Sequence, residues 1–160
     1  MSAVRDRVVV QTGPLEAGAL LAGFCAGRAD VGAVVSVCGR VRDRSDGIGV
    51  QTLSIEAYRG YTEPVIAELV AETVARFAVL DVQVAHRYGP MTPGETIVFV
   101  AVAAVHRREA FQACDYLMDQ LKTRAPFWKR EDGPQGHRWI EARDRDHADA
   151  ARWTQTKDRP

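Results

Sequence analysis

The stretch that most constrains the fold is Leu121–Glu131, which reads Leu-Lys-Thr-Arg-Ala-Pro-Phe-Trp-Lys-Arg-Glu. Pro126 must end any helix that reaches it from the amino-terminal side, because proline lacks an N–H donor and its ring clashes with the preceding turn. We therefore expect a helix end, a tight aromatic corner and the start of a strand. Since Lys122 precedes the corner and Lys129 follows it, the bend can bring the two ammonium groups close together.

Two interpretations of this corner are open from the local pattern. Four cations flank it, namely Lys122, Arg124, Lys129 and Arg130. Such a cluster suits an anionic ligand, or a lysine that takes part in chemistry. Alternatively, the cations stabilise the negative end of the helix dipole, and Phe127 and Trp128 belong to the hydrophobic core.

The bulk composition indicates one soluble domain that spans residues 1–160. Lys plus Arg and Asp plus Glu number 21 each, so the net charge is zero, which argues against a general nucleic-acid binder. Three widely spaced cysteines without a Cys-x-x-Cys pair favour a reducing compartment. The chain has neither a signal-peptide pattern nor an apolar run of about 20 residues, so we expect a cytoplasmic protein that does not enter membranes.

The order of strand and helix patterns predicts an α+β fold. Strand patterns occur at Val8–Gln11, Val31–Val41, Gln51–Ala57, Val82–Tyr88 and Thr96–Val105, and helical patterns at Pro14–Ala26, Thr62–Phe77 and Arg107–Arg124. The last strands, Trp128–Glu131 and His137–Glu141, form a small C-terminal β-hairpin region. Because strands and helices do not alternate strictly, we predict a mixed or antiparallel sheet with packed helices, similar to an α/β hammerhead.

Three details of this prediction can be checked directly. Thr96–Val105 is predicted to be a central strand, and Val31–Val41 a strand buried on both faces that contains a buried Cys38. All three cysteines are placed in apolar settings that raise a thiol pKa. The charged, alanine-rich tail 147–160 is predicted to be frayed.

Charged side chains at the ends of elements are the main candidates for a functional site. They are Arg40, Arg42, His106, Arg107, Lys122, Lys129, Arg138 and Arg143. Arginine can hold phosphate or carboxylate through two hydrogen bonds, and a lysine crowded by other cations can lose part of its charge and act as a nucleophile or acid/base. The histidines lack metal-ligand spacing and nucleotide-binding motifs are absent, so neither a metal nor a cofactor is predicted.

Helix length separates two of these candidates. Arg107 starts the predicted helix that Lys122 ends, and 15 residues at about 1.5 Å each place them roughly 22 Å apart. Either the two side chains serve different purposes, or they meet in one site that two subunits of a symmetric dimer share.

Several motifs in one order resemble the large, catalytic subunit of molybdopterin synthase. Besides Leu121–Glu131 these are Cys-Gly-Arg-Val-Arg from Cys38, Leu-Ser-Ile-Glu-Ala-Tyr from Leu53 with Thr62-Glu63, His-Arg-Tyr-Gly from His86 with Pro93-Gly94-Glu95, Val105-His106-Arg107, and Arg-Trp-Ile-Glu-Ala-Arg from Arg138. The resemblance covers about residues 30 to 146. Arg40 stands where the family often has lysine, and Asp43-Arg44-Ser45 replaces a loop that is commonly richer in asparagine and histidine.

The resemblance implies a sulfurtransferase of molybdenum cofactor biosynthesis. Such an enzyme converts cyclic pyranopterin monophosphate (precursor Z) to molybdopterin by installing the dithiolene. The sulfur arrives as a thiocarboxylate on the C-terminal Gly-Gly of a small ubiquitin-like subunit, in a heterotetramer built around a large-subunit homodimer. Because the partner supplies the sulfur, the cysteines need no role.

Site residues follow from the resemblance by position. Lys122 and Lys129 match the family's essential lysines and are the predicted catalytic residues. The predicted substrate-binding residues are Arg40, Val41, Arg42, His106, Arg107, Met118, Arg130, Glu131 and Arg143. The alternative is a non-catalytic subunit of the same fold that binds an anion or a partner.

Overall fold

The long apolar runs of the sequence pair with one another in the first of two four-stranded sheets. The computed structural model describes residues 7–154. The strands of this sheet are β1 (Val8–Gln11), β2 (Ala33–Arg40), β6 (Asp81–Arg87) and β8 (Thr96–Ala104). Their order is β1-β6-β8-β2, in which β1 and β6 are parallel and the other two pairs are antiparallel.

The central position predicted for the Thr96–Val105 run is confirmed. Strand β8 lies between β6 and β2, and every residue from Val98 to Ala104 is buried. Strand β2 differs from its prediction, since it is an edge strand whose Ser36 and Cys38 are exposed. The expectation of burial on both faces was therefore wrong, because an alternating strand at a sheet edge needs to cover only its inward-facing valines.

Helices cover both faces of this sheet. The helices are α1 (Ala17–Cys25), α2 (Thr62–Arg76), α3 (Arg107–Arg124) and α4 (Asp144–Ala151). Helices α2 and α3 pack on one face around Ile66, Leu69, Val100 and Leu117, while α1 places Phe24 on the other face. Helix α3 has the bounds that its sequence predicts, and its Phe111 side chain is 61% exposed.

The second sheet is antiparallel and carries the chain beyond the proline corner. Its strands are β5 (Thr52–Ala57), β7 (Gly89–Met91), β9 (Phe127–Gly133) and β10 (Gly136–Ile140), in the order β10-β9-β5-β7. The predicted C-terminal hairpin is thus present as β9 and β10. Two short strands, β3 (Arg44–Ser45) and β4 (Ile48–Gly49), form a separate hairpin. One mixed and one antiparallel sheet with packed helices confirm the predicted α+β class.

The C-terminal tail is ordered further than the sequence suggested. Helix α4 covers residues 144–151 and packs against α3. The indole Nε1 of Trp153 donates a hydrogen bond to Asp119 at 2.6 Å, and its ring lies edge-on to Phe77 and Tyr116. The prediction of a frayed tail is therefore wrong for residues 147–154, because one aromatic side chain anchors them; residues 155–160 lie outside the described part.

Candidate active site

The corner at Pro126 is held by a buried threonine. Helix α3 ends at Arg124, Ala125 has extended backbone angles, and β9 begins at Phe127. The Thr62 hydroxyl, in the first turn of α2, donates a hydrogen bond to the Pro126 carbonyl at 3.1 Å and accepts one from the Tyr58 amide at 2.8 Å. Thr62 is 1% exposed, so water does not compete for these two hydrogen bonds. This tether holds the corner between the end of α3 and the start of β9 in place.

The two predicted catalytic lysines line one cavity of about 670 Å³. Lys122 is exposed in the last turn of α3, and Lys129 is partly buried as the third residue of β9. Burial, together with the positive charge of Lys122 and against the opposing effect of Asp146, lowers the pKa of Lys129 to about 8. The corner therefore places an amine that is substantially neutral near pH 8 beside a second cation.

An uncharged histidine packs against the corner that carries the two lysines. His86 is buried in β6, and its ring stacks on Phe127 with 3.9 Å between centroids. Burial and, to a smaller extent, the charges of Lys129 and Lys122 lower its pKa to about 3, although the hydrogen bond with the Arg87 carbonyl raises it. The imidazole is therefore uncharged at neutral pH, with Nδ1–H as donor to the Arg87 carbonyl at 2.9 Å.

The end of β2 forms another wall of the cavity, with Arg40, Val41 and Arg42 in its lining. A turn at Gly94 and Glu95 holds this segment, since the Val41 amide donates to the Glu95 carbonyl at 3.0 Å and the Gly94 amide donates to the Val41 carbonyl at 2.8 Å. The Arg40 guanidinium donates to the Gly94 carbonyl at 3.0 and 2.5 Å. The Arg40 guanidinium is thus anchored to this turn, although both Arg40 and Arg42 are exposed to solvent.

Strand β9 and the start of α4 close the remaining side with Glu131 and Arg143, both of which line the cavity. Glu131 accepts hydrogen bonds from Arg138, and Arg143 forms an ion pair with Asp46 at 3.1 Å. The backbone amide of Arg143 donates to the Asp146 carboxylate at 2.8 Å, so the Asp146 side chain caps the start of α4.

Four of the predicted binding residues lie outside this cavity. His106 and Arg107 occupy a separate depression at the start of α3, together with Phe111. Met118 packs against the core between the sheet and α3. Arg130 faces the side of β9 opposite Lys129 and pairs with Asp132 at 3.2 Å. Within one chain the structure therefore brings together Arg40, Val41, Arg42, Lys122, Lys129, Glu131 and Arg143.

Sequence reasoning missed the contribution of α4 to the cavity. Arg145, Asp146 and Asp149 all belong to its lining. Asp149 stands in the segment 147–160 that was expected to be frayed, and Arg145 and Asp146 directly precede it. The one local signal of a helix start is Asp146, a carboxylate three residues after Arg143.

The three cysteines differ in their exposure to solvent. Burial raises the pKa of the Cys114 thiol to about 11, as the sequence led us to expect. Cys25 and Cys38 are exposed, so the prediction of an apolar setting was wrong for both. None of the three lines the cavity described here.

Among residues 7–154, no group of three His, Cys, Asp or Glu side chains is arranged to hold a metal ion. In the same range, no helix has the length and apolar character that crossing a membrane requires.

Fold and site together define an α+β protein with a cation-lined cavity and a lysine amine that can act near neutral pH. The sequence matches the family described as "MoaE protein" over residues 10–124. It is 54% identical over 142 residues to the molybdopterin synthase catalytic subunit of Caulobacter vibrioides. The aligned residues cover 89% of this chain and 93% of that protein. The chain belongs to the MoaE family of molybdopterin synthase catalytic subunits, enzymes of molybdenum cofactor biosynthesis.

Solved structures agree with this assignment. The molybdopterin biosynthesis MoaE protein from Burkholderia ambifaria matches with a TM-score of 0.78 and 39% identity, over 92% of this chain and 97% of that one. A structure described as the complex of subunits 1 and 2 of molybdopterin-converting factor from Helicobacter pylori matches with a TM-score of 0.68 over 89% of this chain and 92% of that one. At 22% identity, the second match shows a shared fold. A non-catalytic role for the chain is not favoured.

Proposed function

We propose that the chain transfers sulfur from the thiocarboxylated C-terminus of a small ubiquitin-like carrier to cyclic pyranopterin monophosphate and so forms the dithiolene of molybdopterin. The observation that carries this proposal is the pair of lysines in one cavity. Lys129 has a pKa near 8 because it is buried beside Lys122. An amine poised near neutral pH can exchange a proton with a reacting group, which an ordinary exposed lysine does poorly.

The remaining cavity residues suit the two anionic reactants. The phosphate of the pterin and the thiocarboxylate of the carrier both carry negative charge, and Arg42 and Arg143 line the same cavity as the two lysines. In this proposal the arginines hold the cyclic phosphate and stabilise the charge that develops as the ring opens. Lys122, the exposed lysine, meets the thiocarboxylate or the pterin carbon under attack.

The proposed site is completed by a second copy of the chain. His106 and Arg107 start α3, while Lys122 lies in its last turn, so helix length keeps the two groups apart within one chain. The surface at the start of α3 exposes two apolar side chains, Val105 at 51% and Phe111 at 61%. An exposed apolar surface next to a cation pair is typical of an interface, and a two-fold dimer can place one helix start beside the partner's cavity.

The proposed carrier binds through its C-terminal Gly-Gly segment, which enters the cavity as an extended chain. A tail without side chains can pass between walls that a bulkier tail could not enter. The cavity walls that it would pass include apolar side chains, among them Leu53, Ile97 and Phe127. The assembly proposed is a heterotetramer in the cytoplasm, with a homodimer of this chain at its centre.

The test is product formation from cyclic pyranopterin monophosphate and the thiocarboxylated carrier. We expect Lys122→Ala to lower the single-turnover rate by about 100-fold or more, the scale of lost proton transfer or charge stabilisation. Arg124→Ala is the matched control, since Arg124 is a cation of the same helix end that pairs with Glu72 at 2.6 Å and lies outside the cavity. Undiminished product from Lys122→Ala would contradict the proposal.

A further inference from the structure

Arg138 lies beside the cavity but does not belong to its lining. Its guanidinium contacts Glu131, Ser45 and Asp46. It stands on β10 directly opposite Glu131 of β9, so both side chains project from the same face of the hairpin. Its Nε and Nη2 both donate to Oε2 of Glu131, at 3.1 and 2.9 Å. Two charge-assisted bonds to one oxygen fix the orientation of a carboxylate that is only 16% exposed.

The same guanidinium reaches the hairpin formed by β3 and β4. Nη2 donates to the carbonyl of Ser45 at 3.2 Å, and Nη1 lies 3.5 Å from the carboxylate of Asp46. Asp46 has a φ of 50°, a left-handed backbone conformation at the tip of the hairpin. Few residues other than glycine adopt that conformation, so the turn aims the Asp46 side chain in a defined direction.

Asp46 connects this network to Arg143. Its carboxylate pairs with the Arg143 guanidinium at 3.1 Å. Arg138 therefore contacts Glu131 directly and reaches Arg143 through Asp46. Glu131 and Arg143 both line the cavity, and they come from different elements, β9 and the start of α4.

We propose that Arg138 is a positioning residue for the anion-binding side of the cavity: it holds the Glu131 carboxylate away from the lysines and, through Asp46, places Arg143 for the substrate phosphate. This inference rests on the proposed function. The physical reason is competition between charges, since Glu131 lies two residues from Lys129 on the same face of β9. A Glu131 carboxylate released from Arg138 is free to pair with Lys129 or Arg143, both of which the substrate needs.

The first test compares Arg138→Gln with Arg124→Gln. Arg124 is a matched control, because its guanidinium also holds a glutamate through two charge-assisted bonds, to Glu72 at 2.6 and 2.9 Å, and lies outside the cavity. We expect Arg138→Gln to raise KM for cyclic pyranopterin monophosphate by about 10-fold. It should also move the pH dependence of turnover to higher pH, because a nearby carboxylate favours the charged form of Lys129. Arg124→Gln should leave both within about twofold.

A second set of variants separates the two branches of the network. In Arg138→Lys the ammonium group can still pair with Glu131 but cannot bridge Glu131, Ser45 and Asp46 together. This variant should therefore have the pH profile of wild type and the raised KM of Arg138→Gln. Asp46→Asn should raise KM alone. The double variant Arg138→Gln/Asp46→Asn should have the same KM as Arg138→Gln, since residues that act through one chain of contacts are not additive.

The outcomes distinguish this inference from the proposed function. If wild type makes no product, the proposed function fails. If wild type is active and Arg138→Gln behaves like Arg124→Gln, the positioning role is overturned and the function stands. Should Arg138→Gln fail to fold, a normal KM in both Asp46→Asn and Arg138→Lys would overturn the inference in the same way.

Discussion

The two ends of α3 carry cations in contrasting surroundings. At the carboxyl end, Lys122 faces a cavity whose other walls come from β2, β9 and α4. At the amino end, Arg107 lies in a shallow depression lined only by residues 106 to 109 and Phe111. One end is enclosed by distant parts of its own chain, and the other is formed by a single local segment beside an exposed aromatic ring.

This difference fits the proposed site, to which one helix contributes at both ends. In that proposal the carboxyl end supplies the reactive amines, because the proline corner brings Lys129 back toward Lys122. The amino end supplies cations that nothing in the described part of the same chain encloses, and whose apolar surroundings suit contact with another subunit. We therefore expect damage at the amino end to act on the partner's site, by loss of assembly or of a cation, and damage at the carboxyl end to act on the chemistry in its own chain.

The largest expected effect is at the amino end. Phe111→Glu places a charge on the proposed dimer surface, so the mass in sedimentation should fall to that of one chain at micromolar concentration. Product formation should fall with it by about 10- to 100-fold, since each cavity loses the partner's Arg107.

Tyr61→Glu is the control for this variant, since Tyr61 is an equally exposed aromatic residue, at 59%, at the start of α2. It should change neither mass nor rate. A Phe111→Glu protein that remains dimeric and active would remove the distinction between the two ends.

A smaller effect is expected from pH at the carboxyl end. Because burial and Lys122 lower the pKa of Lys129 from 10.5 to about 8, turnover that uses its free amine should rise about 10-fold between pH 7 and 9. Lys129→Arg should abolish that rise, since arginine stays protonated throughout this range. A wild-type rate that is flat across this interval would exclude the free amine as the reacting form.

The same shift predicts a trend in stability. The folded state releases the Lys129 proton near pH 8, while the unfolded chain keeps it up to about pH 10.5. Within this window the unfolded state binds more protons, so the contribution of Lys129 makes folding more favourable as pH rises. Below pH 8 its destabilising contribution is present in full.

The smallest expected effect concerns the corner itself. Thr62→Val keeps the shape of the side chain but leaves the Tyr58 amide and the Pro126 carbonyl without this partner, which should cost about 1–3 kcal/mol of unfolding free energy. Thr73→Val is the control, because its buried hydroxyl bonds only within its own helix, to the Leu69 carbonyl at 2.8 Å. Equal losses of stability in urea unfolding would show that the corner has no special dependence on this tether.

Much of the fold follows from local pattern. The bounds of α3, the central position of β8 and the strand after Pro126 come from helical spacing, a continuous apolar run and the geometry of proline. The cation pair at the corner follows from the same proline. These features depend on residues close to one another in the chain, so periodicity and turn chemistry can locate them.

The features that were not predicted depend on distant contacts. The order of α4 rests on Trp153 and Arg152 reaching α3, across more than 30 residues of chain. The exposure of Cys38 depends on which strand lies at the edge of the sheet, and a valine-rich run does not show this. Arg138 was a candidate from its charge and place alone, and the positioning role proposed for it has no local signal, since its partners Asp46 and Glu131 come together only in the folded hairpins.

Subunit mixing tests most directly whether the two ends of α3 serve one site in different chains. Arg107→Ala and Lys122→Ala proteins should each be inactive alone. After full subunit exchange, half of the dimers contain one chain of each kind, and each of these has one intact site, so about a quarter of wild-type activity should return. A mixture that exchanges subunits and recovers no activity would contradict the account.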